Sequence, residues 1–242
     1  MKKSIGMFLL GACIAFGLAF SAYLVSQAAV KVSRSEIIRV KGSASKFVRS
    51  DHGSWCGSVS AGGNTLATAA QNLAAVEKQA QQLILDIGFS ATDIIWDDIQ
   101  ISPVFRRNDK GIATTEVIAY QLTRQLQVSS GDVERIERLN RNFTDLVKQG
   151  LNVANCWVSY TISDLDQHKI ELLKAATANG RTRAETLAGS AGGQAGALLS
   201  ASQGIFQVLA PGDGNISDYG TYDRSTIEKE IKAVVTLEFS VK

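Results

Sequence analysis

Between Trp55 and Ser163 the hydrophobic spacing switches from two to three-and-four and back, twice over, and few folds accept that order. Trp55, Gly57, Val59 and Ala61 alternate with Cys56, Ser58 and Ser60, the period-two pattern of a strand with one buried face. Leu66, Ala69, Leu73, Val76, Ala80, Leu83 and Ile87 then recur at helical spacing, which keeps one stripe against a core. Asn64 is the expected N-cap of this helix and Gly88 its expected stop. Ile94–Ser102 reads as a strand ended by Pro103, and Arg106–Thr114 as the turn back. Glu116–Val128 alternates Ile118, Tyr120, Leu122, Leu126 and Val128 against Gln121, Thr123, Gln125 and Gln127. Asp132 caps a second helix with Val133, Ile136, Leu139, Phe143 and Leu146 inward, and Val153–Ser163 is the last strand of the series.

The order β-α-β-β-α-β predicts an α+β chain with a ferredoxin-like, split-βαβ core and a one-faced antiparallel sheet. Ile37–Val48, with Ile38, Val40, Gly42 and Ala44 on one face, has no partner in that unit. It is expected to pair with a C-terminal hairpin, Ala201–Leu209 and Ile231–Val241, in a second β lobe that includes a long third helix, roughly Asp166–Ala191. The segment Pro211–Ser225 is long for a hairpin connection. Its Tyr219, Tyr222 and Asp223 are the candidate binding residues.

Lys2 and Lys3 precede a stretch without charge from Ser4 to Val30. Its apolar part, residues 5–25, is long enough to cross a membrane, since about 20 helical residues span a hydrocarbon core of roughly 30 Å. Ser26-Gln27-Ala28 also fits the small-residue cleavage site of a secretory leader. The chain is therefore expected to divide into an anchor or signal helix, residues 1–30, and a body, residues 31–242, with retention and cleavage both open. Leu10-Gly11-Ala12-Cys13 has part of a lipoprotein cleavage box, but the apolar run continues past Cys13, which favours a membrane-buried cysteine.

Of 25 Lys+Arg against 23 Asp+Glu, only Lys2 and Lys3 lie in the first thirty residues, so the body is neutral. Nucleic-acid binding is not expected of it, because that needs a basic excess. The 242 residues contain 2 His and 3 Cys, and no pair has metal-ligand spacing, so no metal, cofactor or catalytic residue is expected. Strand geometry argues against a Cys56–Cys156 disulfide: in antiparallel neighbours the two fall at opposite ends and on different faces. His52 and Cys56 lack an orienting partner for nucleophilic chemistry. Asp97 and Asp98, if in a strand, point to opposite faces. The glycines from Gly189 to Gly196 follow a helix and precede a strand, the inverse of a phosphate cradle, and read as a helix end. The sequons at Asn142 and Asn215 matter only in a eukaryotic secretory host.

Arg181-Thr182-Arg183-Ala184-Glu185-Thr186-Leu187-Ala188, followed by Ala191-Gly192 and Gly196, resembles the third-helix signature of the SIMPL-domain family. Val40-Lys41-Gly42-Ser43-Ala44 is similar to that family's V-x-G-x-A opening, and the element order from Ile37 to Val241 agrees. Gly180 stands where the family usually has Ala, a cost of about 1 kcal/mol in a helix. The resemblance implies an exported bacterial protein, periplasmic or outer-membrane, linked to oxidative-stress defence, with ring or channel-like homo-oligomers in some members. It brings no catalytic residue.

The expectation is thus a non-enzymatic protein of the bacterial inner membrane, single-pass, with its C-terminal domain in the periplasm, or else cleaved and soluble there. It is expected to act by homo-oligomeric assembly, its uncharged Gln121, Thr123, Gln125 and Gln127 face packing on another copy. The alternative is a ligand- or peptide-binding module using the 211–225 loop.

Overall fold

The computed structural model describes residues 14–26, 37–214 and 219–242. It is a mixed α+β fold with two antiparallel sheets. A helix, α1, covers residues 14–26. Then follow β1 (Ile37–Arg49), β2 (His52–Gly63), α2 (Leu66–Ile87), β3 (Ile94–Trp96), β4 (Gln100–Arg107), β5 (Ala113–Ser130), α3 (Val133–Phe143) and β6 (Asn152–Thr161). The chain ends with α4 (Leu165–Ser190), β7 (Ala195–Gln203), β8 (Gln207–Leu209) and β9 (Glu228–Val241). Of the anchor expected at residues 5–25, residues 5–13 lie outside the described residues and residues 14–25 belong to α1. Among those described, no helix is long and apolar enough to cross a membrane.

The residues form two compact units. Of the described residues, those within Met1–Ala44, Leu173–Gly204 and Ala233–Lys242 make one, and those within Ser45–Leu172 and Ile205–Lys232 the other.

In the first unit β9 lies between β1 and β7, so the N-terminal strand finds its partner in the C-terminal one. Val235, Leu237 and Phe239 of β9 are buried, together with Ala176, Ala184 and Ala188 of α4. Small residues at this four-residue spacing let the helix come close to strand backbone. A Cβ on Gly42 would sit 2.1 Å from the Ala176 carbonyl oxygen and 2.6 Å from the Gly180 nitrogen. Gly180 is therefore the counterpart of Gly42, and its helix-propensity cost is offset by that close approach. Helix α4 ends as the glycine run predicts: Gly192 has φ +83°, and the Gly193 N–H reaches back to the Ala188 carbonyl at 2.9 Å. The expected strand Ala201–Leu209 is instead two: β7 starts earlier, at Ala195, and Gly204-Ile205-Phe206 separates it from β8. The Gly204 N–H still donates to the Val234 carbonyl at 2.9 Å.

In the second unit the sheet runs β3-β5-β2-β6, with β4 also on β5 and these strand pairs all antiparallel. Helices α2 and α3 cover one face. Trp55, Leu73, Ile84, Leu126, Ile136, Leu139 and Phe143 are fully buried between them. Trp55 meets Phe143 edge-on at 4.6 Å. Its indole N–H donates to Asn155 Oδ1 at 3.2 Å. Gly57 makes room for this ring, since a Cβ there would lie 2.3 Å from it.

Three local expectations change. Thr65, not Asn64, caps α2, because Thr65 has the extended backbone and its hydroxyl accepts from the Thr68 N–H at 3.2 Å. The single strand Ile94–Ser102 is broken at 97–99 into β3 and β4, which pair with different stretches of β5. Pro103 does not end the strand but lies inside β4 opposite Tyr120, as an edge strand permits. Beyond Tyr120, β2 has ended, and β4 and β5 run on as a two-stranded ribbon.

The fourth change is the largest. Cys56 and Cys156 are not at opposite ends of β2 and β6. The register runs Cys56↔Trp157 and then Gly57↔Asn155, so Cys156 is the extra residue of a bulge facing Cys56. The bulge advances β6 by one residue and puts both Cys156 and Trp157 on the face of Cys56. Both cysteines are free thiols, Cys56 buried and Cys156 exposed.

Candidate functional site

The 211–225 loop is the place to look first, because α3, β6 and the loop's two ends enclose a groove of about 500 Å³ in the second unit. Helix α3 exists because Asp132 accepts from the Arg135 N–H at 3.0 Å and its apolar stripe is buried. Its other side presents Glu137 and Arg141 to the groove. Strand β6 adds Val158 and Tyr160, and the loop adds Pro211 and Ser225 to Glu228.

Tyr160 is the titratable group most affected here. Burial raises its pKa first, Glu137 raises it further, and Arg141 opposes them. The shift favours the protonated phenol. Glu137 and Arg141 pair at 3.7 Å on the exposed side of α3. The groove offers an apolar wall, a cation and an anion.

The three residues named from the sequence have different fates. Asp223 is a structural keystone. Its carboxylate accepts from the Ser225 N–H at 3.0 Å, the Thr226 N–H at 3.2 Å, the hydroxyls of Ser225 and Thr226, and Lys229 Nζ at 3.1 Å. Burial by itself would raise its pKa, but these donors together hold it well below the carboxylate range. Lys229 is fully buried, and its Nζ also donates to the Thr226 carbonyl at 2.6 Å. Its pKa is lowered by burial, against the pull of Asp223. Sequence reading missed this lysine. The signal was a cation at a position that alternates with Glu228 and Glu230 ahead of the buried run from Ile231, whose depth depends on the loop that folds over it.

Tyr222 is also engaged: its hydroxyl accepts from the Ile162 N–H at 3.4 Å, and Arg224 lies over its ring at 5.5 Å. Tyr219 is 95% exposed. Residues 215–218 between it and Gly214 lie outside the described residues.

Other sequence candidates do not converge. His52 is exposed at the start of β2, and four strand residues place it about 13 Å from Cys56. Asp97 lies in the break between β3 and β4, where Gln127 Nε2 donates to it at 3.5 Å. His168 packs with Lys46, 3.1 Å from its Nδ1, and Asp164, 3.4 Å from its Nε2. Among the described residues no three of His, Cys, Asp and Glu are grouped to hold a metal ion.

With this geometry in place, the comparisons add the following. Residues 38–239 match the SIMPL family, described as protein of unknown function (DUF541). No curated protein matches the chain. Similar solved structures include a hydantoinase/carbamoylase family amidase from Burkholderia phymatum, with 14% identity and TM-score 0.27 over 58% of this chain and 36% of that one. Another is an amidase of that family from Burkholderia ambifaria, with 19% identity and TM-score 0.27 over 47% of this chain and 29% of that one. The chain thus spans about a third of those proteins' length, and the amidase activity in their names is theirs.

Proposed function

The chain belongs to the SIMPL family, and on that premise we propose that it works by self-association, without catalysis, as a periplasmic domain tethered to the inner membrane through residues 5–25. The observation that carries this reading is the β4–β5 ribbon. All eight residues of β4 are exposed. The ribbon and its turn carry Val104, Phe105, Ile112, Val117 and Ile118, each at least 40% exposed. A two-stranded hairpin with apolar side chains in water is marginal by itself, so a second copy is the natural cover. The helix-free face of the same sheet supports the reading. Its ribbon end, with Ser60, Gln121 and Thr123, is uncharged and can be covered with little desolvation. We read the second unit as the ferredoxin-like plan, which the order β6-β2-β5 with β3 and β4 beyond β5 supports. A role in envelope or oxidative-stress defence rests on the family resemblance.

Light scattering after size exclusion of the full chain in detergent tests the proposal. Multimers are expected, and Val104→Glu with Val117→Glu should shift them toward monomer with unchanged circular dichroism. A strictly monomeric wild type overturns it.

The groove beside the 211–225 loop favours a second reading, a peptide- or ligand-binding module. Deleting the loop would remove Asp223 and strand Lys229. Tyr219→Ala with Arg141→Glu therefore tests it better, by loss of partner capture in a crosslinking pull-down with the fold intact. Unchanged capture counts against it.

A further inference from the structure

The bulge in β6 gives the helix-free sheet face a feature that assembly does not require. Directly opposed residues of antiparallel strands have Cα atoms about 4.5–5.5 Å apart. That lies within the roughly 4.4–6.8 Å that a disulfide needs. Trp157 is the residue registered directly opposite Cys56, and Cys156, the extra residue of the bulge, adjoins it on the same face. The two thiols are near enough for Cys156 to influence the ionisation of Cys56. Their environments differ sharply. Cys56 is 0% exposed, and its Sγ points its weak donor toward Gln125 Oε1 at 3.9 Å and the Gly57 carbonyl at 3.8 Å. Cys156 is open to solvent.

We propose that Cys56 and Cys156 are a redox-active dithiol that closes to an intrachain disulfide across the β2–β6 bulge, by exchange with a small-molecule disulfide of the glutathione type. The accessible thiol reacts first. Cys156 loses its proton to water, and its sulfur attacks one sulfur of oxidised glutathione. The glutathione S–S bond breaks and one glutathione leaves as thiolate, taking up a proton. Cys56 then loses its proton and attacks Cys156 Sγ in the mixed disulfide. The protein S–S bond forms, and the second glutathione leaves as thiol. The dithiol is oxidised by two electrons and the glutathione disulfide is reduced to two thiols.

The order of attack follows from burial. The Cys56 thiol is pushed up to about 12, first by burial, then by its hydrogen bond to Cys156 and by the charge on that neighbour. It is therefore inert toward solvent oxidants. Once Cys156 is tied in a mixed disulfide it carries no charge, and that part of the barrier to Cys56 ionisation is gone. A buried resolving thiol beside an exposed attacking one is the arrangement that releases a mixed disulfide instead of storing it.

The test uses the full chain with Cys13→Ser, so that Cys56 and Cys156 are the only thiols. After incubation with oxidised glutathione and acid quench, intact mass and a non-reducing peptide map are read. Expected are a loss of two hydrogens and a linked peptide containing Cys56 and Cys156. Cys56→Ser should trap one glutathione on Cys156, and Cys156→Ser should leave Cys56 at least tenfold slower to react. A wild-type protein that keeps both thiols, or that accumulates a lasting glutathione adduct without the linked peptide, overturns the proposal. So does a Cys156→Ser protein that reacts as fast as Cys56→Ser.

Discussion

Gly42→Ala should be among the most damaging single-methyl additions in the first unit. The new Cβ would lie 2.1 Å from the Ala176 carbonyl oxygen, 2.6 Å from the Gly180 nitrogen and 2.8 Å from the Gly180 Cα. All three are backbone atoms, so no side chain can swing aside. Ordinary contact begins at 3.4 Å, so α4 and β1 must part by about 1.3 Å. A radial gap of 0.5–1 Å already forfeits a quarter to a half of the dispersion energy of the atoms that line it. Ala176 and Leu237 are at most 1% exposed and would share that loss. Overpacking costs about 1–3 kcal/mol where the structure can yield. With backbone on both sides the expectation is the top of that range, about 3 kcal/mol. For a body of this size that lowers Tm by roughly 6–12 °C. Gly180→Ala is the control. Its Cβ meets Leu237 Cδ1 at 2.7 Å, a movable methyl, and Gly42 Cα at 3.3 Å. It also gains about 1 kcal/mol of helix propensity. Thermal unfolding followed by circular dichroism should rank wild type, Gly180→Ala and Gly42→Ala in falling order. A Gly42→Ala protein within about 3 °C of wild type would refute the claimed approach of helix to strand.

Asp223→Asn should cost about 3–5 kcal/mol in urea unfolding, because it leaves the Lys229 ammonium buried without a counter-charge. Lys229→Met should cost less, since Asp223 keeps its donors on Ser225 and Thr226. Because folding lowers the Asp223 pKa, its contribution is complete above the unfolded value, about 4, and is lost as pH falls through the folded one. The wild-type urea midpoint should therefore drop more steeply below pH 4 than that of Asp223→Asn. Phe143→Ala removes a fully buried ring against Trp55 and should cost about 3–5 kcal/mol by the same assay. If the Cys56–Cys156 disulfide forms without strain, the oxidised protein should gain roughly 2–4 kcal/mol over the reduced one.

Where structure follows from neighbours along the chain, the sequence was readable. The α3 stripe, Val133, Ile136, Leu139 and Phe143, is buried at every position, and so is Leu146 just beyond the helix. So are Ile231, Ala233, Val235, Leu237 and Phe239 of β9. Gly88 ends α2 with φ +103° because only glycine enters that region freely. In α2 the stripe was offset: Ile84 is fully buried, while Leu83 and Ile87 are only partly so. A helix face more than 100° wide accepts either choice until a sheet is laid against it. The candidate site was harder. Asp223 belongs to a turn whose purpose is clear only once Lys229 is known to be buried beneath it.

Element types, their order, the buried face of most strands and the family are properties of spacing, and the 242 residues contain them without reference to any distant partner. Register is not such a property. One extra residue in β6 turns two cysteines a hundred positions apart into neighbours on one face, and the missing Cβ atoms of Gly42 and Gly180 acquire meaning only from each other. A bulge adds no local signature because its cost and its benefit are both settled by the strand beside it. What a pairing partner decides can be seen only after the partners have met.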